Sequence, residues 1–221
     1  MPVLNEANNL GDVLKFETPN LFSREEITVL AGSGSNRSLA VGEVIAKRTR
    51  SDINTTPDGG NTGDGSPGAV TLGTQAEAGA YALICITAAT NAGTFQVLTP
   101  KGYRLPDLEV GQAYDSDHLN LTIADGAADF VVGDSITIDI SGDDKVVALD
   151  LAGVDGIQNP IGIIAAAITA PDGTDIEGVA IVRDAILADH ALVWPGGISA
   201  QQQTDAIAAL KGRGILVRKG V

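Results

Sequence analysis

The chain has 221 residues, 44% of them hydrophobic, and a formal net charge of −14. That length and apolar content suffice for one large or two small domains with buried cores, and they exclude a wholly disordered chain. The negative charge argues against nucleic acid as the main partner, because most of the surface would repel a phosphate backbone.

Residues 1–20 have no consistent apolar period of 2 or of about 3.6, which predicts neither a strand nor a helix. Such a segment cannot bury itself, so it is either a frayed terminus or an arm that adds a strand to a partner. We also expect neither a secretory signal nor a membrane span, because no basic start with an apolar core is present and no apolar run reaches about 20 residues. The apolar and proline residues of the predicted arm are Leu4, Leu10, Val13, Leu14, Phe16 and Pro19.

A mainly β body with one helix is predicted from two stretches on either side of the middle of the chain. The helix begins after Ser199, which forms an S-x-x-Q capping box with Gln202, and Gly212 is placed to end it in a left-handed conformation. The only tryptophan, Trp194, precedes Pro195 and two glycines that cannot continue a strand. The strands are predicted at 27–30, 44–49, 146–149, 161–168, 179–187 and 215–217.

Residues 61–141 are predicted to form a separate small all-β sandwich that is inserted into this body. Apolar side chains alternate with polar ones at 119–123 and 136–140, and residues 81–87 resemble a central strand. Turn-rich runs at 55–65 and 141–144 bound the segment, so Gly60 and Gly142 should lie close together. Its ten acidic residues against Lys101 and Arg104 give it a net charge of −8.

The residues that could perform chemistry are few. His118 and His190 stand in no metal-ligand spacing, and Cys85 lies in an apolar run that predicts a buried, inert thiol. We therefore predict no catalytic, cofactor-binding or metal-binding residues. One alternative stays open, in which the acidic β segment is an adhesion module that stacks Tyr103 and Tyr114 on sugar rings of a host-surface glycan.

Two motifs resemble the lambda-type bacteriophage head decoration proteins. The first is FSREEITVLAG at residues 22–32 followed by LAVGEVI at 39–45, and the second runs from residue 178 to 218 with its VRDA, ALVWP, alanine-rich helix and GILVR pieces. The resemblance implies a capsid-binding arm at 1–20, a split β body at 21–60 and 142–221, and an insert at 61–141.

The same resemblance implies a non-catalytic role on the outer surface of the virion. Such proteins are made in the bacterial cytoplasm and bind the major capsid protein of the expanded head. They sit as homotrimers at three-fold and quasi-three-fold sites and stabilise the shell against internal DNA pressure. Trp194 and Pro195 are candidates for the trimer interface, although a tryptophan buried in the monomer core fits the sequence equally.

Overall fold

The structure, a computed structural model, describes residues 8–220 and divides into two compact units. The first unit contains residues 1–48 and 144–221, and the second contains residues 49–143. At the junction the Arg48 amide donates to the Lys145 carbonyl and the Asp144 amide donates to the Arg48 carbonyl, both at 3.0 Å. Arg48 and Asp144, where the chain leaves the first unit and returns to it, therefore lie side by side.

The chain is mainly β, and its elements are numbered in chain order. The first unit opens with α1 Leu10–Val13, β1 Leu14–Glu17, β2 Arg24–Val29, β3 Arg37–Leu39 and β4 Val44–Lys47. The second contains β5 Asp52–Pro57, β6 Ser66–Pro67, β7 Thr71–Leu72, β8 Gly79–Ala89, β9 Ala92–Leu98, β10 Leu108–Glu109, β11 Tyr114–Asp115, β12 Leu119–Leu121, β13 Ile123–Ala124 and β14 Ser135–Ser141. The first resumes with β15 Val146–Ala148, β16 Pro160–Ile164, β17 Ile168–Ala170, β18 Ile176–Ile181, β19 Ala185–Ala188, α2 Ala200–Lys211 and β20 Ile215–Arg218.

A closed barrel in the order β15-β2-β18-β16-β4 forms the centre of the first unit. Strands β4 and β16 are buried on both faces, whereas β2 and β18 each include exposed residues. Ile45 points into the barrel, whereas Val44 and Ala46 point outwards into a second core. That outer core lies beneath α2 and the three-stranded sheet β1-β19-β20.

Helix α2 begins as predicted and ends differently. Ser199 accepts from the Gln202 amide while the Gln202 side chain accepts from the Ser199 amide, which confirms the capping box. Gly212, however, is right-handed with φ −61°. Gly214 is left-handed at φ +77°, and a Cβ there would lie 2.2 Å from Asp184 Oδ1, so only glycine fits.

The predicted single strand at 179–187 is wrong. Asp184 adopts φ +44° and breaks the run into β18 and β19, because a left-handed residue cannot continue an extended strand. Val179, expected to be buried, is 39% exposed.

A five-stranded sheet in the order β10-β9-β8-β14-β5 forms the largest part of the second unit. The smaller sheets β11-β12-β7 and β13-β6 complete it. The predicted alternation is confirmed in β14, where Ile136, Ile138 and Ile140 are buried and the residues between them are exposed. Phe95 and Phe130 meet edge to face in this core, with their ring centres 4.9 Å apart.

The boundary of the second unit lies earlier than residue 61. Strand β5 pairs with the whole of β14, from Asp52 opposite Ser141 to Pro57 opposite Ile136. Gly60 follows the Pro57 end of this strand pair, whereas Gly142 follows Ser141 at the other end. The expectation that the two glycines lie close together is therefore wrong. The first three residues of the turn-rich run at 55–65 belong to an edge strand, where the missing amide hydrogen of Pro57 is tolerated.

Candidate functional site

The N-terminal segment is the first place to look for a binding surface, and most of its described part is folded. The Asn8 side-chain amide donates to the Ala191 carbonyl at 2.9 Å, and α1 follows directly. Val13 is fully buried in the outer core, with Leu10 and Leu14 packed against it. The expectation that the segment lacks a fold of its own is therefore wrong for residues 10–17. Leu4 lies outside the described residues.

Strand β1 turns one apolar side chain away from this core. It pairs antiparallel with β19, and the register shifts between Leu14 and Phe16, so that an irregularity interrupts the alternation. A β-bulge of this kind re-aims the next side chain. Phe16 is 53% exposed, whereas Leu14 faces inwards.

The turn between β1 and β2 presents two further apolar side chains. Leu21 and Phe22 are 59% and 53% exposed, and Pro19 is exposed beside them. Asn20 and Leu21 both have positive φ, at 62° and 59°, a conformation that leucine rarely adopts. Surrounding contacts must hold such a turn in place, so its exposed apolar side chains keep a fixed position.

Polar contacts hold this turn from both sides. The buried Ser23 hydroxyl accepts from the Thr18 amide at 3.0 Å and donates to the Asp184 carbonyl at 2.8 Å. Arg24 binds Glu17 through two hydrogen bonds of 2.7 and 2.9 Å, and these lower the pKa of Glu17. Arg183 lies 5.4 Å from the centre of the Phe22 ring, in a cation–π contact.

Trp194 and Pro195, the predicted trimer-interface residues, are both half-buried. Trp194 packs against the outer core, and its indole nitrogen is buried without a hydrogen-bond partner among the described residues. Pro195 lines an open cavity of about 460 Å³ together with Arg37, Arg48 and Val147. Their role in a subunit interface stays a prediction.

The candidate chemical residues occupy ordinary structural positions. Cys85 is buried, and burial raises the pKa of its thiol. His118 Nδ1 lies 3.0 Å from the Tyr81 hydroxyl, and His190 is exposed in a short turn at Asp189–Ala191. Within residues 8–220, acidic, histidine and cysteine side chains form no group suited to a metal ion.

The two tyrosines of the adhesion alternative differ in exposure. Tyr103 is 69% exposed, but Tyr114 is only 7% exposed, so the expectation that both could stack on a sugar is wrong for Tyr114. Sequence reasoning missed the exposed pair Leu21 and Phe22, of which Phe22 is the first residue of the FSREE motif and Leu21 precedes it. The dipeptide Pro19-Asn20, which favours a turn, was the available signal. Over the described part of the chain, no helix is both long and apolar enough to cross a bilayer.

These surfaces present apolar side chains on a fixed turn and on a folded terminal segment, and both are attached to the β body. These are the features of a structural binding protein. The family model described as bacteriophage lambda head decoration protein D matches residues 3–215, so the chain belongs to that family. It is thus a phage head decoration protein, from a family of structural proteins that bind the virion capsid and are not enzymes.

Two crystal structures of Xanthomonas campestris FlgL are similar, each with 16% identity and a TM-score of 0.33, over 49% of this chain. The chain spans about a third of FlgL, 34% in one structure and 33% in the other. At that score the likeness does not define a common fold. None of the curated proteins matches the chain.

Proposed function

We propose that this protein cements the expanded phage head as a homotrimer at three-fold and quasi-three-fold sites, and that it resists the internal pressure of packaged DNA. The family match over residues 3–215 carries the proposal. A protein that binds only the mature lattice stabilises that lattice by RT ln(1 + [L]/Kd) at each site. Three N-terminal segments on one trimer add avidity to contacts that are weak singly.

The capsid-binding arm is shorter in this proposal than residues 1–20. Val13 is buried in the chain's own core, and Leu10 and Leu14 are partly buried against it, so the core takes up most of their apolar surface. The residues left for the capsid are 1–9, which include Leu4, together with the exposed Phe16 and Pro19. The major capsid protein is the partner, and the place of action is the outer surface of the head after synthesis in the bacterial cytoplasm.

Subunit packing is assigned to the surface around Trp194 and Pro195. The partial exposure of Trp194 supports this, because tryptophan is enriched in the cores of subunit interfaces and a neighbouring copy can cover the exposed part of its ring. The second unit, residues 49–143, is an insertion in the decoration body. It contains three basic and thirteen acidic residues, a net charge of −10.

Co-sedimentation with undecorated heads of the same phage tests the proposal. The purified protein should bind expanded heads at saturation with three copies per three-fold site and should fail to bind unexpanded shells. A protein that stays in the supernatant with expanded heads would contradict it. A glycan array in parallel tests the adhesion alternative, which depends on Tyr103 alone because Tyr114 is buried.

A further inference from the structure

The three-stranded sheet β1-β19-β20 has apolar side chains on both faces, and only one face is covered. On the covered face, the register aligns Leu14 with Leu187 and Leu187 with Val217. Leu187 belongs to the outer core, and the other two pack against it. This face accounts for the attachment of the sheet to the body.

A second apolar row crosses the opposite face. The register places Phe16 opposite Ile186, and Ile186 opposite Leu216. Phe16 is 53% exposed, and Ile186 and Leu216 are half-buried and lie outside the buried clusters of the described chain. A sheet with one solvated face normally has polar side chains there, so an apolar row that spans all three strands marks a contact surface.

Basic side chains flank this row, although the protein as a whole is acidic. Arg218 stands opposite Ala188 at the end of β20, and Lys15 lies beside Phe16 in β1. Both are exposed, and neither forms an ion pair within residues 8–220. The acidic neighbour in β1, Glu17, is already bound to Arg24. The face is thus apolar in its middle and positive at its margin.

The face is also continuous with the proposed arm. Strand β1 follows residues 1–9 after only four helical residues, so a partner held by those residues lies next to the sheet. We infer that the outer face of β1-β19-β20 docks on the capsid subunit, against a segment that is apolar at its centre and acidic at its edges. The inference rests on the proposed function and adds a second contact to it.

The two kinds of side chain have different roles in this contact. The row Phe16, Ile186 and Leu216 supplies buried apolar area, which sets how slowly the complex dissociates. Lys15 and Arg218 orient the encounter, and their effect weakens as salt shortens the screening length.

The apolar row is tested by the double substitution Phe16→Ser with Leu216→Thr. Affinity for undecorated expanded heads is measured by co-sedimentation over a range of protein concentrations. We expect a loss of about tenfold or more, which corresponds to about 1.4 kcal/mol or more. The matched control is Val132→Ser, because Val132 is 65% exposed and lies in the second unit; it should bind as the unmodified chain does.

The basic margin is tested by Lys15→Glu with Arg218→Glu, which changes only exposed side chains. The substitution removes an exposed hydrogen bond of 3.1 Å from the Lys15 ammonium to the Gly11 carbonyl, and the protein should still fold. At low ionic strength the affinity of this double variant for heads should be about tenfold lower than that of the unmodified chain. The difference between the two affinities should shrink as salt rises from about 50 to 300 mM. Sedimentation mass is recorded for every variant.

The outcomes separate this inference from the function on which it rests. If the unmodified protein does not bind heads, the proposed function fails. If it binds and both double variants bind equally well, the docking face is wrong while the proposed function stands. If the variants change the oligomer mass and not the affinity of the oligomer for heads, the face joins copies of this chain, and the capsid assignment is overturned.

Discussion

The Ser23 hydroxyl donates to the Asp184 carbonyl at 2.8 Å and joins the two tight turns at one end of the first unit. Ser23 is fully buried, and its carbonyl also accepts from the Val182 amide at 2.9 Å. The turn that presents Leu21 and Phe22 is therefore anchored to the break between β18 and β19. Both turns contain non-glycine residues at positive φ, and each holds the other in place.

Replacing Ser23 by Ala should destabilise the first unit. The substitution leaves the Thr18 amide and the Asp184 carbonyl without their buried partner, and we expect the free energy of unfolding to fall by about 1–3 kcal/mol. Chemical denaturation of the full chain measures the effect. Ser33→Ala, in an exposed loop of the same unit, is the control and should change stability by less than about 0.5 kcal/mol.

Two truncations should separate the roles of the N-terminal segment. Deleting residues 1–7 leaves α1 and β1 in place, so the protein should melt normally yet bind heads more weakly. Deleting residues 1–17 also removes β1 and the buried Val13, and it should lower thermal stability as well. Unchanged head binding by the shorter deletion would exclude residues 1–7 from the contact.

Asp134 should make the stability of the second unit depend on pH. Burial raises the pKa of its carboxyl, but three backbone amides, those of Gly63, Thr62 and Val131, donate to it at 2.8–3.0 Å and lower the pKa further than burial raises it. Because the folded pKa lies below the unfolded value of about 3.9, the stabilisation is present above that value and is lost as pH falls through the folded pKa.

The measurement for Asp134 is a difference between two proteins. Asp134→Asn should lose about 1–3 kcal/mol at pH 7, because an amide nitrogen cannot accept the amide hydrogens that the carboxylate accepts. The gap between the two unfolding free energies should narrow from pH 5 towards pH 2. A gap that stays constant over this range would show that ionised Asp134 does not hold these loops. Asp139→Asn, on the exposed face of β14, is the control.

Trp194→Phe should weaken self-association if the exposed part of the indole ring packs against a neighbouring copy, because the phenylalanine ring covers less apolar area. The ring stays apolar and half-buried, so the monomer should remain folded while the dissociation constant of the trimer rises several-fold. Analytical ultracentrifugation over a dilution series measures this constant. Tyr103→Phe removes an exposed polar hydrogen from the second unit and should leave association unchanged. An identical dissociation constant for Trp194→Phe would remove Trp194 from the interface.

Local signals in the sequence predicted local structure well. The capping box at Ser199 and the alternation of Ile136, Ile138 and Ile140 each depend on residues a few positions apart, and both are confirmed. The closed barrel could not be predicted from the sequence, because its closure depends on a single parallel pairing of Val146 with Val29, more than a hundred residues apart. Such pairings leave no periodic trace in either strand.

The segment at 10–17 shows why pattern reasoning failed at the candidate site. A helix of four residues is too short to display a helical period, and the irregularity at Lys15 breaks the alternation of the strand that follows. The sequence pattern therefore assigned neither Val13 nor Phe16 to a buried or an exposed face, although Val13 is buried and Phe16 is exposed. Residues 55–57, the start of the turn-rich run at 55–65, were misread because Thr and Pro next to Asp and Gly favour turns, whereas pairing with β14 holds them extended.

The hydrogen bond from the Asp144 amide to the Arg48 carbonyl bears on how such a protein can diversify. It holds together the two points at which the chain leaves the first unit and returns to it, so an inserted module needs only two termini that lie close together. Any module that satisfies this one condition can be grafted at the same seam, with the barrel and its outer core left unchanged. A phage lineage, or an engineer who displays foreign domains on heads, can exchange the inserted unit while keeping the same decoration body.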